Sequence, residues 1–148
     1  MTETFPTFHF PDHIRAYLDD TRYASISTVD PDGGPRQAVT WYTIDGDEII
    51  LNSRIGRRWP TNLLRDPRIS IAVIDCGHGE RWVGVTGVVR STHTDWETSQ
   101  GDIAAMARRY PGDGPDEVER TITDRFERQD RISFRIAPIA IHDHLDDE

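Results

Sequence analysis

Apolar and polar residues alternate along six short segments of the chain, and turn residues separate several of them. Alternation with a period of two is typical of half-buried β-strands. We therefore predict strands at 23–30, 36–44, 49–53, 68–75, 81–92 and 130–144, the last broken at Pro138. The turn sequences "DPDGGP" and "DGDE" suit tight hairpins, so the first three strands are predicted to form an antiparallel meander.

Apolar residues recur at helical spacing in four other segments, which predicts helices at 11–20, 57–66, 95–110 and 116–129. Gly84 and Gly87 interrupt the fifth strand and indicate a bulge, a barrel corner or a close ligand. Strands with few helical crossovers favour a small antiparallel barrel with helices packed outside. We predict one mainly β domain over residues 1–148.

The composition excludes several classes of protein. The formal net charge is -9, which argues against nucleic acid as the main partner. The single cysteine, Cys76, allows no disulfide within the chain, and a reducing cytoplasm is the compartment we expect. The N-terminal segment "MTETFPTFHFPDHI" lacks the pattern of a signal peptide, and no apolar run has the length of a membrane span.

Most catalytic motifs are absent. The sequence has no G-x-S-x-G, no P-loop and no G-x-G-x-x-G after a strand. Cys76 and His78 could form a dyad, but a lone thiol at the end of a strand is the simpler interpretation. His142 and His144 could bind a metal, yet no third ligand is indicated, so we predict no metal site.

Basic residues concentrate between the third and fourth strands. Arg54, Arg57 and Arg58 follow a strand and lead into a helix start, where guanidinium groups and backbone amides can bind an anion. The hydroxyls of Ser53 and Thr61 could complete a phosphate site. A solvated basic loop explains the same pattern equally well. Three tryptophans add flat apolar surface that could flank an aromatic cofactor: Trp41, Trp59 and Trp82.

The block from Ala24 to Asp75 resembles the pyridoxamine 5'-phosphate oxidase-like superfamily, and most closely its flavin/deazaflavin oxidoreductase branch. The resemblance rests on a first strand, a G-x-P turn, a strand ending in W-Y, and the run R-x-x-x-x-N-L-x-x-D-P-R before a buried strand. That run is present here as Arg57, Asn62, Leu63, Asp66, Pro67 and Arg68. The later "VGVTGVVR" is similar to a family strand with a central glycine, and the resemblance extends over residues 12–141.

The resemblance implies an FMN-binding split β-barrel of about six antiparallel strands, forming a homodimer with cofactor sites at the interface. It implies coenzyme F-420 or FMN as cofactor. The anion-contacting candidates are Ser53, Arg54, Arg57 and Arg58, with Asn62 as a support. The ring neighbours are Gln37, Val39, Thr40 and Trp41, and Asn52 and Trp59 complete the predicted cofactor-binding set.

One position departs from the family pattern. Relatives often have a lysine two residues after the arginine that matches Arg57, and this chain has Trp59 there. Because the short chain and this loop look most like the deazaflavin branch, we expect an F-420-dependent reductase of a small unsaturated substrate. The alternatives are an FMN-dependent oxidoreductase, with a pyridoxine-like compound as one substrate class, and a barrel that binds flavin or heme without turnover. Tyr42 is a possible proton donor, although a core role suits it better.

Overall fold

The computed structural model describes residues 8–110 and 112–146, which form seven β-strands and four α-helices. The strands are β1 (Ala24–Val29), β2 (Pro35–Thr40), β3 (Thr43–Asp45), β4 (Glu48–Arg54), β5 (Arg68–Ile74), β6 (Trp82–His93) and β7 (Arg131–His144). The helices are α1 (Asp12–Asp19), α2 (Arg58–Arg65), α3 (Trp96–Arg109) and α4 (Pro115–Asp124), and a 3-10 turn, Phe126–Arg128, follows α4. All four predicted helices are present, the fourth in a shorter form. The N-terminal residues 1–7, Pro111 in the break between the last two helices, and the last two residues lie outside the described part.

All seven strands belong to one antiparallel sheet with the order β2-β1-β5-β6-β7-β4-β3. The two edge strands, β2 and β3, are joined only by Trp41 and Tyr42. In a flat sheet of seven strands the edges would lie about 29 Å apart, at roughly 4.8 Å per spacing. Three residue steps reach at most about 10 Å, so the sheet must curl until its edges approach each other. The fold is therefore a split β-barrel, as the resemblance implied.

The predicted strand 36–44 is divided in the structure, and the predicted meander is wrong. The β1–β2 and β3–β4 hairpins form as expected. However, β2 and β4 are not neighbours, because β2 and β3 lie at opposite edges of the sheet. Tyr42, in the break, is fully buried and donates its hydroxyl to the Leu18 carbonyl at 2.7 Å. Because Tyr42 is buried like a strand residue, the apolar pattern of the sequence does not reveal that the strand ends there.

Strand β7 is continuous, although we predicted a break at Pro138. The pairing of β6 with β7 shifts at this point, and Ile139 is the extra residue of a β-bulge. A bulge accepts proline because the local ladder is already interrupted. Gly87 faces Pro138, and a Cβ on Gly87 would lie 2.6 Å from Cγ2 of Ile136. Of the three explanations offered for this glycine, the structure supports the bulge.

Two apolar clusters lie on opposite faces of the sheet. The larger cluster fills the barrel and includes Leu51 and Phe134, neither of which is exposed. The smaller cluster lies between the outer face of β4 and the helices α3 and α4, and it includes Ile50 and Phe126. Within the described residues, no helix is both long and apolar enough to cross a membrane.

Candidate functional site

A cavity of about 280 Å³ opens where four parts of the fold meet. These parts are the end of β2, the end of β4, the start of α2, and the connection from α4 to β7. Tyr23, which precedes β1, and Ile103 of α3 complete the lining. The cavity mouth is open: Val39 is 72% exposed and Tyr23 is 48% exposed.

Seven of the eleven predicted cofactor-binding residues line this cavity: Val39, Thr40, Trp41, Asn52, Ser53, Arg57 and Trp59. The fold brings them together from three separate segments of the chain. Their contact with a cofactor remains a prediction, but the structure gives them a common surface.

The other four predicted residues, Gln37, Arg54, Arg58 and Asn62, are not among the lining residues. Asn62 is buried and donates to Thr28 Oγ1 at 3.1 Å and to an Asp30 carboxylate oxygen at 2.9 Å, so it fastens α2 to β1. Arg58 approaches Asp30, with 3.6 Å between Nη1 and Oδ1. The hydroxyl of Thr61, considered above for a phosphate site, instead donates to the Arg57 carbonyl at 2.7 Å.

The opposite wall was not predicted and comes from the connection between α4 and β7. It consists of Arg125, Phe126, Gln129 and Arg131. Gln100 of α3 fixes this wall, because its Nε2 donates to the carbonyl of Phe126 at 2.8 Å and to that of Gln129 at 3.1 Å.

Positive charge accumulates in the cavity without a counter-charge. Arg131 is only 8% exposed. Burial, and then the neighbouring Arg57, Arg125 and Arg54, lower the pKa of its guanidinium to about 10, so it still carries a proton at neutral pH. Among the described residues, no acidic side chain lines the cavity and none of these four arginines forms an ion pair. An unpaired buried charge is unfavourable, so this arrangement favours the binding of an anion.

The aromatic wall is held rigidly. The ring of Trp41 stacks on Tyr110 with centroids 5.1 Å apart and an interplanar angle of 11°. The ring of Phe126 is nearly perpendicular to that of Trp41, with centroids 6.4 Å apart. The Tyr110 hydroxyl accepts the backbone N–H of Tyr42 at 3.0 Å. Tyr110, which directly follows α3, therefore holds Trp41 in place just beyond the end of β2.

Trp59 has a double position. It is 6% exposed and packs against Phe134 in the barrel core, with ring centroids 5.9 Å apart. It also lines the cavity. At the position where the family resemblance implies a lysine, this chain therefore has a core side chain, and the cations of the cavity come from other positions.

The remaining candidate groups lie outside the cavity. Tyr42 belongs to the barrel core, and burial raises the pKa of its hydroxyl. Cys76 is exposed, and His78 lies 3.9 Å from a Glu80 carboxylate oxygen. The ring of His144 stacks on Trp82, with centroids 4.2 Å apart.

Comparison with known proteins supports the fold over nearly the whole chain. The pyridoxamine 5'-phosphate oxidase family matches residues 10–144. A comparison with curated proteins gives no match. Among solved structures, an F420 reductase is 22% identical with a TM-score of 0.70, covering 90% of this chain and 98% of its own.

Two further structures are similar to this chain. A conserved hypothetical protein from Mycobacterium tuberculosis is 24% identical with a TM-score of 0.72, covering 97% of this chain and 91% of its own. The heme storage protein HutZ from Vibrio cholerae is 19% identical with a TM-score of 0.68, covering 92% of this chain and 95% of its own. At these identities the likeness shows a shared fold.

Proposed function

The chain belongs to the pyridoxamine 5'-phosphate oxidase family, and from this premise we propose that it is an F-420-dependent reductase. It would transfer a hydride from the reduced deazaflavin to a small unsaturated organic substrate. The observation that carries the proposal is the group of arginines without carboxylate partners beside an aromatic and apolar wall in one cavity. A phosphorylated ring cofactor combines the two properties that such a cavity complements.

The anionic end of the cofactor fits the basic side of the cavity. Arg57 immediately precedes α2, and the first-turn amides of Arg58 and Trp59 form the positive end of that helix. Arg131 and Arg125 supply two further cations from the opposite wall. Guanidinium groups suit phosphate oxygens because they donate in a planar fork.

The ring end fits the other side. β2 pairs with β1 on one side only, so alternate backbone groups near Val39 and Thr40 are free to bond polar atoms of a ring. Trp41 offers a fixed apolar surface. When bound, a reduced deazaflavin supplies a hydride, and the chain supplies position and exclusion of water. Tyr23 and Thr40 line the cavity, and their hydroxyls are candidates for delivering a proton.

An FMN-dependent oxidoreductase is the second candidate. A phosphate monoester carries nearly two negative charges at neutral pH, and several unpaired arginines suit such a charge. The non-catalytic heme-binding alternative has less support, because no His or Cys of the described residues lines the cavity.

A homodimer is part of the proposal. The cavity volume of about 280 Å³ lies at the lower limit of small-molecule sites, which are roughly 300–1000 Å³. One chain would therefore enclose only part of a flavin-sized ligand. The exposed Val39 and Tyr23 at the mouth are suitable for coverage by a second copy.

Titration of the purified protein with F-420 and with FMN tests the cofactor, with tryptophan fluorescence as the signal. We expect F-420 to bind more tightly than FMN, and Arg57→Gln to lower the affinity about ten- to a hundredfold, since one charge-assisted hydrogen bond contributes about 1.5–3 kcal/mol. Arg120→Gln is the matched control, because Arg120 is an exposed α4 residue paired with Glu117. Tight binding of FMN alone would contradict the choice of F-420, and binding of neither would contradict the function.

A further inference from the structure

Arg131 is the first residue of β7, and its guanidinium is fixed before any ligand arrives. Its Nε donates to Asn52 Oδ1 at 2.8 Å, and its Nη1 donates to the side-chain oxygen of Gln129. Its Cζ lies 4.8 Å from the centroid of the Phe126 ring. These contacts hold the group from three sides.

The orientation of Asn52 is fixed as well. Its Nδ2 donates to the Ser99 carbonyl and to Ser133 Oγ, each at 2.8 Å. The amide oxygen is thereby directed towards Arg131. Asn52 acts as a positioning residue, and α3 is connected through it to the buried cation.

One nitrogen of the Arg131 guanidinium has no hydrogen-bond acceptor among the described residues. This nitrogen, Nη2, is not among the buried polar atoms without a partner, so it is open to the cavity that Arg131 lines. A fixed, buried cation with one free donor group is a built half-site for an oxyanion.

The arginines around Arg131 also favour the binding of an anion. Arg54 and Arg131 are directly opposite each other in the β4–β7 ladder, and like charges in that position repel. Arg57 and Arg125 add to the positive potential at Arg131 and contribute to the depression of its pKa. Hydrogen bonds to Asn52 and Gln129 are neutral and leave this repulsion uncompensated.

We propose that Arg131 is the principal phosphate-binding residue of this cavity and decides whether a ligand with or without a phosphate group is accepted. This inference rests on the proposed function for the location of the site but not for the identity of the cofactor. The ligand group is a phosphate, either free or as the ester of a ring compound. Arg57, the loop arginine that also lines the cavity, then binds the same anion from the opposite wall.

Thermal unfolding with inorganic phosphate tests the proposal, compared with chloride at equal ionic strength. Phosphate should raise the Tm of the wild-type protein, and Arg131→Gln should remove this rise or move its midpoint to at least about tenfold higher phosphate. Arg120→Gln makes the same change in net charge and should respond like the wild type. A wild type without a phosphate response, or an Arg131→Gln protein with the full response, would overturn the proposal.

A second variant tests the proposal without removing Arg131, whose loss could itself disturb folding. Gln129→Glu is nearly isosteric and places a carboxylate on the hydrogen bond that Gln129 already accepts from Arg131. The internal carboxylate should raise the Tm in chloride and weaken the response to phosphate. An unchanged phosphate response of Gln129→Glu would contradict the proposal.

The source of the phosphate is distinguished by two ring compounds. FMN and riboflavin differ only in the phosphate group. If the site takes an ester, FMN should raise the Tm of the wild type at a lower concentration than inorganic phosphate does. FMN should also act at a lower concentration than riboflavin, and Gln129→Glu should reduce this difference in concentration. If it takes free phosphate, the two flavins should act alike. Failure of F-420 to bind would overturn the proposed function while leaving the phosphate result intact.

Discussion

The two faces of the β4–β7 ladder have the same backbone but opposite chemistry. On the inner face the paired residues are Ile49 with Ile136, Leu51 with Phe134, and Ser53 with Ile132. On the outer face they are Ile50 with Arg135, Asn52 with Ser133, and Arg54 with Arg131. All members of both faces are at least partly buried except Arg54.

The difference shows where stability and where specificity reside. The inner face is apolar apart from Ser53, and it packs in the barrel core. The outer face buries polar groups, and Asn52 shows how each bond can be satisfied by a neighbouring strand or helix. The positive charges of Arg54 and Arg131 on the outer face have no acidic partner among the described residues. This uncompensated charge is typical of a binding surface rather than of a purely structural one.

The largest effect should come from the inner face. Phe134→Ala removes a fully buried ring that contacts Trp59, and we expect a loss of about 3–5 kcal/mol in the free energy of unfolding. Urea unfolding followed by circular dichroism measures it. Val39→Ala, at an exposed position of the cavity mouth, should change stability by no more than about 0.5 kcal/mol. Similar losses in the two variants would show that the barrel core contributes no more to stability than the exposed mouth of the cavity.

A smaller effect is expected at the centre of the outer face. Asn52→Ala leaves the Arg131 Nε and the Ser99 carbonyl without their partner, which should cost about 1–3 kcal/mol in the same urea experiment. Ser133→Ala removes only one bond of this group and should cost less. If Ser133→Ala were the more destabilising change, Asn52 would not be the organising residue.

Arg54 should show an effect of opposite sign. Arg54→Gln removes one of two like charges that face each other, so the protein without ligand should gain about 0.2–1 kcal/mol in chloride buffer. Repeating the unfolding in phosphate should reduce this gain, because Arg54 then helps to attract the anion. A loss of stability in chloride would show that the repulsion is already relieved within the protein.

The smallest effect belongs to the other end of the outer face. Arg135 donates to Asp45 at 2.8 Å, and the Asp45 side chain is largely exposed. We expect Arg135→Gln to cost no more than about 1 kcal/mol and to become neutral at high salt. A double-mutant cycle with Asp45→Asn measures the coupling. A coupling energy between Arg135 and Asp45 that persists in high salt would mean that this ion pair is shielded from solvent, in contrast to the expectation for an exposed pair.

The local structure could largely be predicted from the sequence, since hairpin turns and helix periodicity are encoded by neighbouring residues. The separation of β2 from β3 could not, because Tyr42 is buried in the core like a strand residue. What ends the strand there is the closure of the barrel, which depends on strands much later in the chain. The bulge at Ile139 likewise depends on the pairing with β6.

The candidate site was predictable on one wall only. The strand–arginine–helix block is continuous in sequence, so its pattern could be recognised. Arg131 is 77 positions from Arg54, and no motif connects them. A signal was nevertheless present: Arg131, Ser133 and Arg135 alternate with Ile132 and Phe134, which indicates a strand with a polar face. That this face would be buried depends on α3, and this is a tertiary property.

The link of Trp41 and Tyr42 between the edge strands limits how this site can evolve. Its length is set by the gap that it crosses, and its two side chains are anchored in different compartments, Trp41 against Tyr110 and Tyr42 inside the barrel. An inserted or deleted residue would turn these side chains away from Tyr110 and from the barrel interior. It would also shift β2 relative to the other residues that line the cavity. We expect lineages of this fold to diversify here by substitution, and to accept changes in length in the turns of the two hairpins instead.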